Sequence, residues 1–282
     1  MLTVASVNVN GIRAAYRRGM GSWLAARSPD VLALQEVRAE TDHLTDLLGP
    51  GWYVAHAVSL AKGRAGVAVA SRLPLVATRF GHGSTGEVSG DEASRPGEIG
   101  GEEDSGRWVE VDIALADGRV LTVASVYVHK GEAGTPRMEE KYAFLQAMSA
   151  RLAALSAVAD DGCLAVVAGD LNIAHRQVDL KNWRGNLASA GFLPRERAYV
   201  DRWLDELGWV DLGRALSGPG PGPYTWWSWR GRAFDNDAGW RIDYQLASPG
   251  AAGAARRVVV DKAVTYAERF SDHAPVVVEY DL

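Results

Sequence analysis

Apolar residues along the chain gather in short runs that each end on a polar residue. Leu2 to Val7 runs into Asn8, Val31 to Leu34 into Gln35-Glu36, and Gly66 to Ala70 stops at Ser71. Val120 to Val126 ends at Tyr127 and Leu164 to Ala168 leads to Gly169-Asp170; Ile242-Asp243-Tyr244 opens another run, and Ala274 to Val278 closes the series. Runs of this length, rich in Val, predict buried β-strands. Between some of them the spacing becomes helical. Gly21 to Arg27 predicts one helix, and Pro136 to Ala157 a longer one, with Phe144, Leu145, Met148, Leu152 and Leu155 on one face and Pro136 in the first turn. Strands alternating with helices predict an α/β domain. Residues 3–9 (TVASVNV) and 122–128 (TVASVYV) match at six of seven positions. That echo predicts two strands in equivalent places in two packed sheets, delivering Asn8 and Tyr127 to the same edge.

Composition narrows the class. At 282 residues, 47% hydrophobic and 23% charged, the chain suits one large globular domain or two small ones and excludes a disordered or collagen-like polymer. No apolar run approaches the ~18 residues of a membrane span, and the opening MLTVASVNVNGIRAAYRRGM lacks the pattern of a secretory leader. A single cysteine, Cys163, excludes an intramolecular disulfide and a multi-cysteine zinc site, and points to a reducing, cytoplasmic location.

The net charge of −5 argues on its face against a nucleic-acid partner. Its distribution weakens that argument. Residues 81–106 hold seven acids against one base, so the rest of the chain is at +1, and 13 of those 26 residues are Gly, Ser or Pro. Such a segment predicts a mobile loop inserted into a single domain of residues 1–282. Residues 175–197 have the opposite sign, with Arg176, Lys181, Arg184, Arg195 and Arg197 against Asp179 and Glu196.

Polar residues at strand ends are the usual place for a site on an α/β scaffold. Here they are Asn8, Asn10, Glu36, Tyr127, Asp170, Asn172, Asp243, Asp272 and His273. Taken singly, each also fits a turn, a cap or a solvated end. Together they form an oxygen-rich set with one His, which suits Mg²⁺ or Mn²⁺ better than zinc. Metal-assisted hydrolysis of a phosphodiester or phosphomonoester is the chemistry this suggests. No G-x-S-x-G, no Walker A and no Rossmann glycine run offers a competing mechanism.

The blocks NVNGIRA (8–14), LQEV (34–37), GRAGVAVASR (63–72), SVYV (125–128), GDLNIAH (169–175), DLKNW (179–183), YTWWSWR (224–230), GWRIDY (239–244) and SDHAPV (271–276) carry a resemblance over nearly the whole chain. In order and content the sequence resembles the exonuclease III family of DNA-repair nucleases, within the exonuclease–endonuclease–phosphatase superfamily. The resemblance implies a four-layer α/β/β/α sandwich of two packed mixed β-sheets. It implies that Glu36 is the principal metal ligand, with Asn8, Asn10 and Asp272 beside it. Asp170 and Asn172 would activate and orient the attacking water close to the metal. Asp243 would orient His273, which would bind phosphate, and Tyr127 would be the site phenol. Asn186 would contact substrate phosphate, and Trp226, Trp240 and Ile242 would accept a base-free deoxyribose.

The same resemblance implies double-stranded DNA as partner, at abasic sites and 3′ ends, and an enzyme acting as a monomer in the bacterial cytoplasm with its nucleoid. Arg176 and Lys181 would belong to a basic DNA-facing surface, with Arg230, Arg232 and Arg241 interleaved among Trp226, Trp227, Trp229 and Trp240. Core packing is the alternative for Trp227 or Trp229, and a buried ion pair with Arg241 or another base the alternative for Asp243. The sequence departs from the family's pattern at Val7, His129 and Lys130, and in the acidic 81–106 segment, which would have to point away from DNA. Two rival functions keep parts of the reading: a phosphoesterase acting on inositol phosphates or phospholipid head groups, and a DNA-binding relative without turnover.

Overall fold

A computed structural model of the chain describes residues 1–61, 63–81, 88–89, 106–157 and 164–282. In β1 (Leu2–Asn8), Leu2 and Val4 belong to one apolar cluster and Ala5 and Val7 to another, all of them buried. A strand buried on both faces must be covered on both. Helices supply one cover and a second sheet the other.

The first sheet runs β12 (Ala255–Val260), β13 (Val276–Tyr280), β1, β2 (Val31–Gln35), β4 (Val67–Ser71), β3 (Tyr53–Ala57). The second runs β10 (Val210–Asp211), β11 (Asp243–Ala247), β9 (Leu164–Asp170), β8 (Val120–Tyr127), β7 (Trp108–Ala114), β5 (Leu75–Phe80), β6 (Val88–Ser89). Each sheet is mixed: β1 and β2 are parallel, β8 and β9 are parallel, and the other pairs are antiparallel. Between the sheets lie Val4, Val31, Ala33, Val67 and Val69 from one side and Val111, Ile113, Leu121, Val123, Val166 and Ala168 from the other. Helices α1 (Ile12–Arg17), α2 (Met20–Arg27) and α3 (Thr41–Leu48) pack on the outer face of the first sheet. Helices α4 (Pro136–Ala157) and α5 (Pro194–Asp205) pack on that of the second. Two short helices, α6 (Leu212–Ser217) and α7 (Pro249–Ala254), complete the described set. The order of layers is α/β/β/α, as the resemblance implies.

The echo between residues 3–9 and 122–128 corresponds to β1 and β8, the first members of the two parallel pairs. The predicted α4 has the bounds read from the sequence, and its five apolar positions are buried. Other boundaries moved for local reasons. The run from Ala274 becomes a strand only at Val276. Pro275 cannot donate to a ladder, and Ala274 donates instead to the Thr225 carbonyl at 2.7 Å. The run from Gly66 begins one residue later, because Gly66 turns at φ 84. Most of the acidic 81–106 segment, and with it the expectation of a mobile loop directed away from DNA, lies outside the described residues. Its Val88–Ser89 pairs with Ala77 and Thr78.

Candidate active site

The inner faces of the two sheets change character at one end. Apolar residues give way first to a neutral polar layer. Gln35 Nε2 donates to Ser125 Oγ at 3.0 Å and to Ser6 Oγ at 3.3 Å, so the matching serines of the echo are bridged across the sandwich. Gln245 Nε2 donates to the Val4 and Val276 carbonyls, both at 3.0 Å. These bonds satisfy groups that would otherwise cost about 1–3 kcal/mol each to bury. One step further along the strands stand Asn8, Tyr127, Asp170 and Asp243. Ladder register sets Asp170 beside both Tyr127 and Asp243. Close approach of β8 to β9 depends on Gly169, at φ 151. A Cβ there would lie 1.9 Å from the Val126 carbonyl oxygen.

The chain leaves these strands in unusual conformations. Asn10, Glu36 and Asn172 all have positive φ, between 47 and 51. Left-handed geometry at non-glycine residues costs free energy that surrounding contacts must offset. The contacts are present. Asn10 Nδ2 donates to Asp272 Oδ1 at 2.8 Å, Gly11 N donates to the Glu36 carbonyl at 2.8 Å, and Asn172 N donates to Asp170 Oδ1 at 2.9 Å.

Asn8 is the hub between the sheets. Its amide donates to Glu36 Oε1 and to Asp170 Oδ2, both at 2.9 Å. His273 Nδ1 lies 2.9 Å from Asp243 Oδ2, and His273 Nε2 lies 3.7 Å from Asp170 Oδ2. Arg241 is not the partner of Asp243: it is buried and pairs with Asp179 and Asp211. That burial also corrects the expectation that Arg241 belongs to a DNA-facing surface. Arg230 and Arg232 are exposed as expected. Arg176 and Lys181 are exposed as well, and all four lie outside the cleft lining.

The electrostatics follow from this packing. Burial raises Asp170, reinforced by Asp243 and Glu36 and opposed by His273, to about 7. Burial alone would lower His273; Asp243 and Asp170 outweigh it and lift the imidazole to about 10. Burial would raise Asp272, but His273 and the hydrogen bonds from Asn10 and Trp226 bring it below the usual carboxylate range. Tyr127 is held well above the usual phenol range by burial, then by Glu36 and Asp170. Near neutrality the set therefore contains a cationic imidazole, a carboxyl that holds its proton more readily than an ordinary one, and a neutral phenol.

These groups line a cleft of about 580 Å³ whose other wall is apolar. Trp226 and Trp240 meet edge to face at 6.4 Å and share a cluster with Ile242 and Phe192. Trp226 Nε1 donates to Asp272 Oδ2 at 3.1 Å, joining that wall to the acids. Asn186 lines the cleft from the short 3₁₀ turn Trp183–Asn186. Trp227 is core, and Trp229 is partly exposed under the guanidinium of Arg269 at 4.1 Å. Beside Glu36, a second concavity of about 230 Å³ is lined by Arg13, Arg38 and Arg64.

Asp170, Asp243 and His273 bring their ligating atoms within 4.8 Å of one another. Glu36 lies outside that group, on the far side of Asn8. Several contributors were not singled out in the sequence. Arg38 pairs with Glu36, and Ser271 Oγ donates to the Asn8 carbonyl at 2.6 Å. Thr225 Oγ1 accepts the N–H groups of Ile242 and Asp243 at 3.1 Å each, and Arg107 lies 4.7 Å over the Tyr127 ring. Arg38, Ser271 and Thr225 stand beside or within the motif blocks, where the only available signal was adjacency.

Residues 5–273 match the model of the Endonuclease/Exonuclease/phosphatase family. An exodeoxyribonuclease of Bacillus subtilis is 30% identical over 283 residues, covering 98% of each chain. Among solved structures, an AP endonuclease from Archaeoglobus fulgidus has 27% identity and a TM-score of 0.79, and a 3′-5′ exonuclease from Neisseria meningitidis has 27% identity and a TM-score of 0.81. Both cover all of either chain.

Proposed function

The chain belongs to the Endonuclease/Exonuclease/phosphatase family, and from that premise we propose that it is a DNA-repair nuclease of exonuclease III type. It would incise duplex DNA 5′ to abasic sites and trim 3′ ends, as a single domain and a monomer in the bacterial cytoplasm. One observation carries the reading. The Asp243–His273 pair, Asp170 and Glu36 converge on a cleft whose other wall is Trp226, Trp240 and Ile242. A phosphodiester beside a base-free deoxyribose, whose C2′ methylene and carbon faces can lie against the tryptophans, matches both walls. An inositol phosphate, polar all round, leaves the apolar wall without a partner.

In hydrolysis the phosphoryl oxygens gain negative charge. The His273 imidazolium, held by Asp243, would donate to one of them, and the Asn186 amide would add a further donor; the Asn172 amide already donates to the Val128 carbonyl and to Asp170. Asp170, bonded to the Asn172 backbone, would accept a proton from the attacking water, and Asn172 would set that water's direction. Tyr127, as a neutral phenol, would donate a hydrogen bond. Trp226, Trp240 and Ile242 would exclude a paired nucleotide from the sugar pocket. Lys130 at the mouth and the arginines beside Glu36 would hold flanking backbone phosphates.

The donor set fits a hard divalent cation, Mg²⁺ or Mn²⁺. Glu36, Asp170 and Asp272 offer carboxylate oxygens, Asn8 and Asn172 offer amide oxygens, and no thiolate is present among them. The upward displacement of Asp170 by burial and its neighbouring carboxylates marks excess negative charge that such an ion would neutralise. Bound by Glu36, Asn8 and the flanking acids, it would supply Lewis-acid polarisation of the phosphate.

The test is incision of a duplex carrying one abasic analogue, in Mg²⁺ and in EDTA, beside Asp170→Ala. Wild type cleaves 5′ to the analogue only with the metal, and Asp170→Ala is slower by on the order of 10³. Wild-type protein that leaves every DNA intact in Mg²⁺ but releases phosphate from inositol polyphosphates would establish the rival reading.

A further inference from the structure

One buried ion pair serves neither the chemistry nor the apolar pattern of the helices that carry it. Lys141 in α4 and Glu196 in α5 have no exposed side-chain surface, and Lys141 Nζ lies 2.5 Å from Glu196 Oε1. The ammonium's other contacts are backbone carbonyls, Asn172 at 2.8 Å and Lys130 at 3.2 Å. The carboxylate accepts from Gly191 N at 2.8 and 2.9 Å and from Leu193 N at 2.9 Å. Three chain segments are thus tied to one point: those following β8 and β9, and that entering α5. Each contributes a residue to the cleft lining, namely Lys130, Asn172 and Gly191.

Asn172 is where this matters. Its backbone is left-handed, so its position depends on what holds it. Asp170 holds its N–H and Lys141 holds its carbonyl. Gly191 is packed against the same carbonyl, with only 3.0 Å from a would-be Cβ to the Asn172 oxygen. A buried ion pair is a poor way to stabilise a helix contact, because removing two charges from water offsets most of their attraction. Here the pair's remaining hydrogen bonds go to active-site loops.

We propose that Lys141, neutralised and braced by Glu196, is a positioning residue that acts through Asn172 and touches no reacting atom. This rests on the nuclease reading. A misplacement of about 1 Å in a group that orients water costs up to about 10² in rate, so the effect belongs in kcat rather than KM.

The experiment is a cycle of Lys141→Met/Glu196→Gln, which removes both charges together, with Asn172→Ala. Steady-state kcat and KM are measured on a duplex with one abasic analogue, with single-turnover rates beside them, and hydrogen exchange is followed in the same proteins. The charge-free variant melts cooperatively, loses roughly 10- to 100-fold in kcat with KM within threefold, and exchanges faster at residues 171–174 and 190–193 but not in the body of α4 or α5. In the Asn172→Ala background the same two substitutions change kcat by less than about threefold.

A folded variant with wild-type kcat, or a loss that is undiminished in the Asn172→Ala background, overturns the proposal. Glu196→Gln alone is the second arm should the double variant not fold. It lowers kcat at least about fivefold, and that loss also vanishes without the Asn172 amide; an unchanged kcat overturns the proposal there too. Should wild type cut no DNA, the nuclease reading fails, and exchange at 171–174 still decides whether the pair holds the loop: unchanged exchange in a folded variant refutes it.

Discussion

Asp243 shows how one side chain sets the charge of another. Burial pushes the His273 imidazole toward its neutral form, and the carboxylates of Asp243 and Asp170 reverse that, to about 10. Asp243→Asn removes the nearer anion while keeping the shape, so the imidazolium titrates at a lower pH. The expected outcome is an alkaline limb of the pH profile of kcat/KM displaced downward by at least about one unit. An alkaline limb that stays in place would mean that His273 does not act as a cation. The residue types at this scale were readable because chemistry restricts them: Glu36 and Asp170 stand where an apolar run stops, and Asp243 and His273 where one begins. Lys141 was not readable. It occupies a helical turn beside Tyr142 and Phe144, where sequence spacing cannot distinguish a solvated lysine from a buried one whose charge is met by two carbonyl oxygens and one carboxylate oxygen.

Among elements, the parallel pair β8 and β9 sets the site's dimensions. Its closeness depends on the absence of a side chain at Gly169, directly opposite Val126 in the ladder. Gly169→Ala would force a methyl group into a backbone carbonyl, with no flexible side chain to yield. Destabilisation of at least about 3 kcal/mol is expected in urea unfolding, with activity reduced even where the protein remains folded. A loss below about 1 kcal/mol would show that the strands can separate there without cost. The strands themselves were legible, since period and Val content are local properties. Their ends were less so: Pro275 and Gly66 shift two of them through a missing donor and a positive φ.

For the whole molecule, a net charge of −5 is a poor guide to its partner. The fold collects Arg13, Arg38 and Arg64 into one concavity beside Glu36, sets Lys130 in the lining of the cleft and leaves Arg230 and Arg232 exposed. DNA affinity should therefore fall steeply with salt. A plot of log affinity against log salt should slope at about −3 or steeper, since each phosphate contact contributes roughly −0.9. A flat plot would remove this face from the DNA contacts. The amino-acid order by itself determined the strands, the long helix and the polar residue ending each run, because those depend on neighbours within a few positions. It also determined family membership, through blocks carried in order from Asn8 to Val276. Only tertiary structure decided which of those ends meet. Asn8 and Asp170 are hydrogen-bonded although 162 positions apart, and Asn10 and Asp272 although 262 apart. It also decided that Arg241 is buried while Arg230 is not. Such outcomes follow from how two sheets stack and which loops are drawn between them, and stacking is settled by the summed burial of many side chains, none of which records its distant partner.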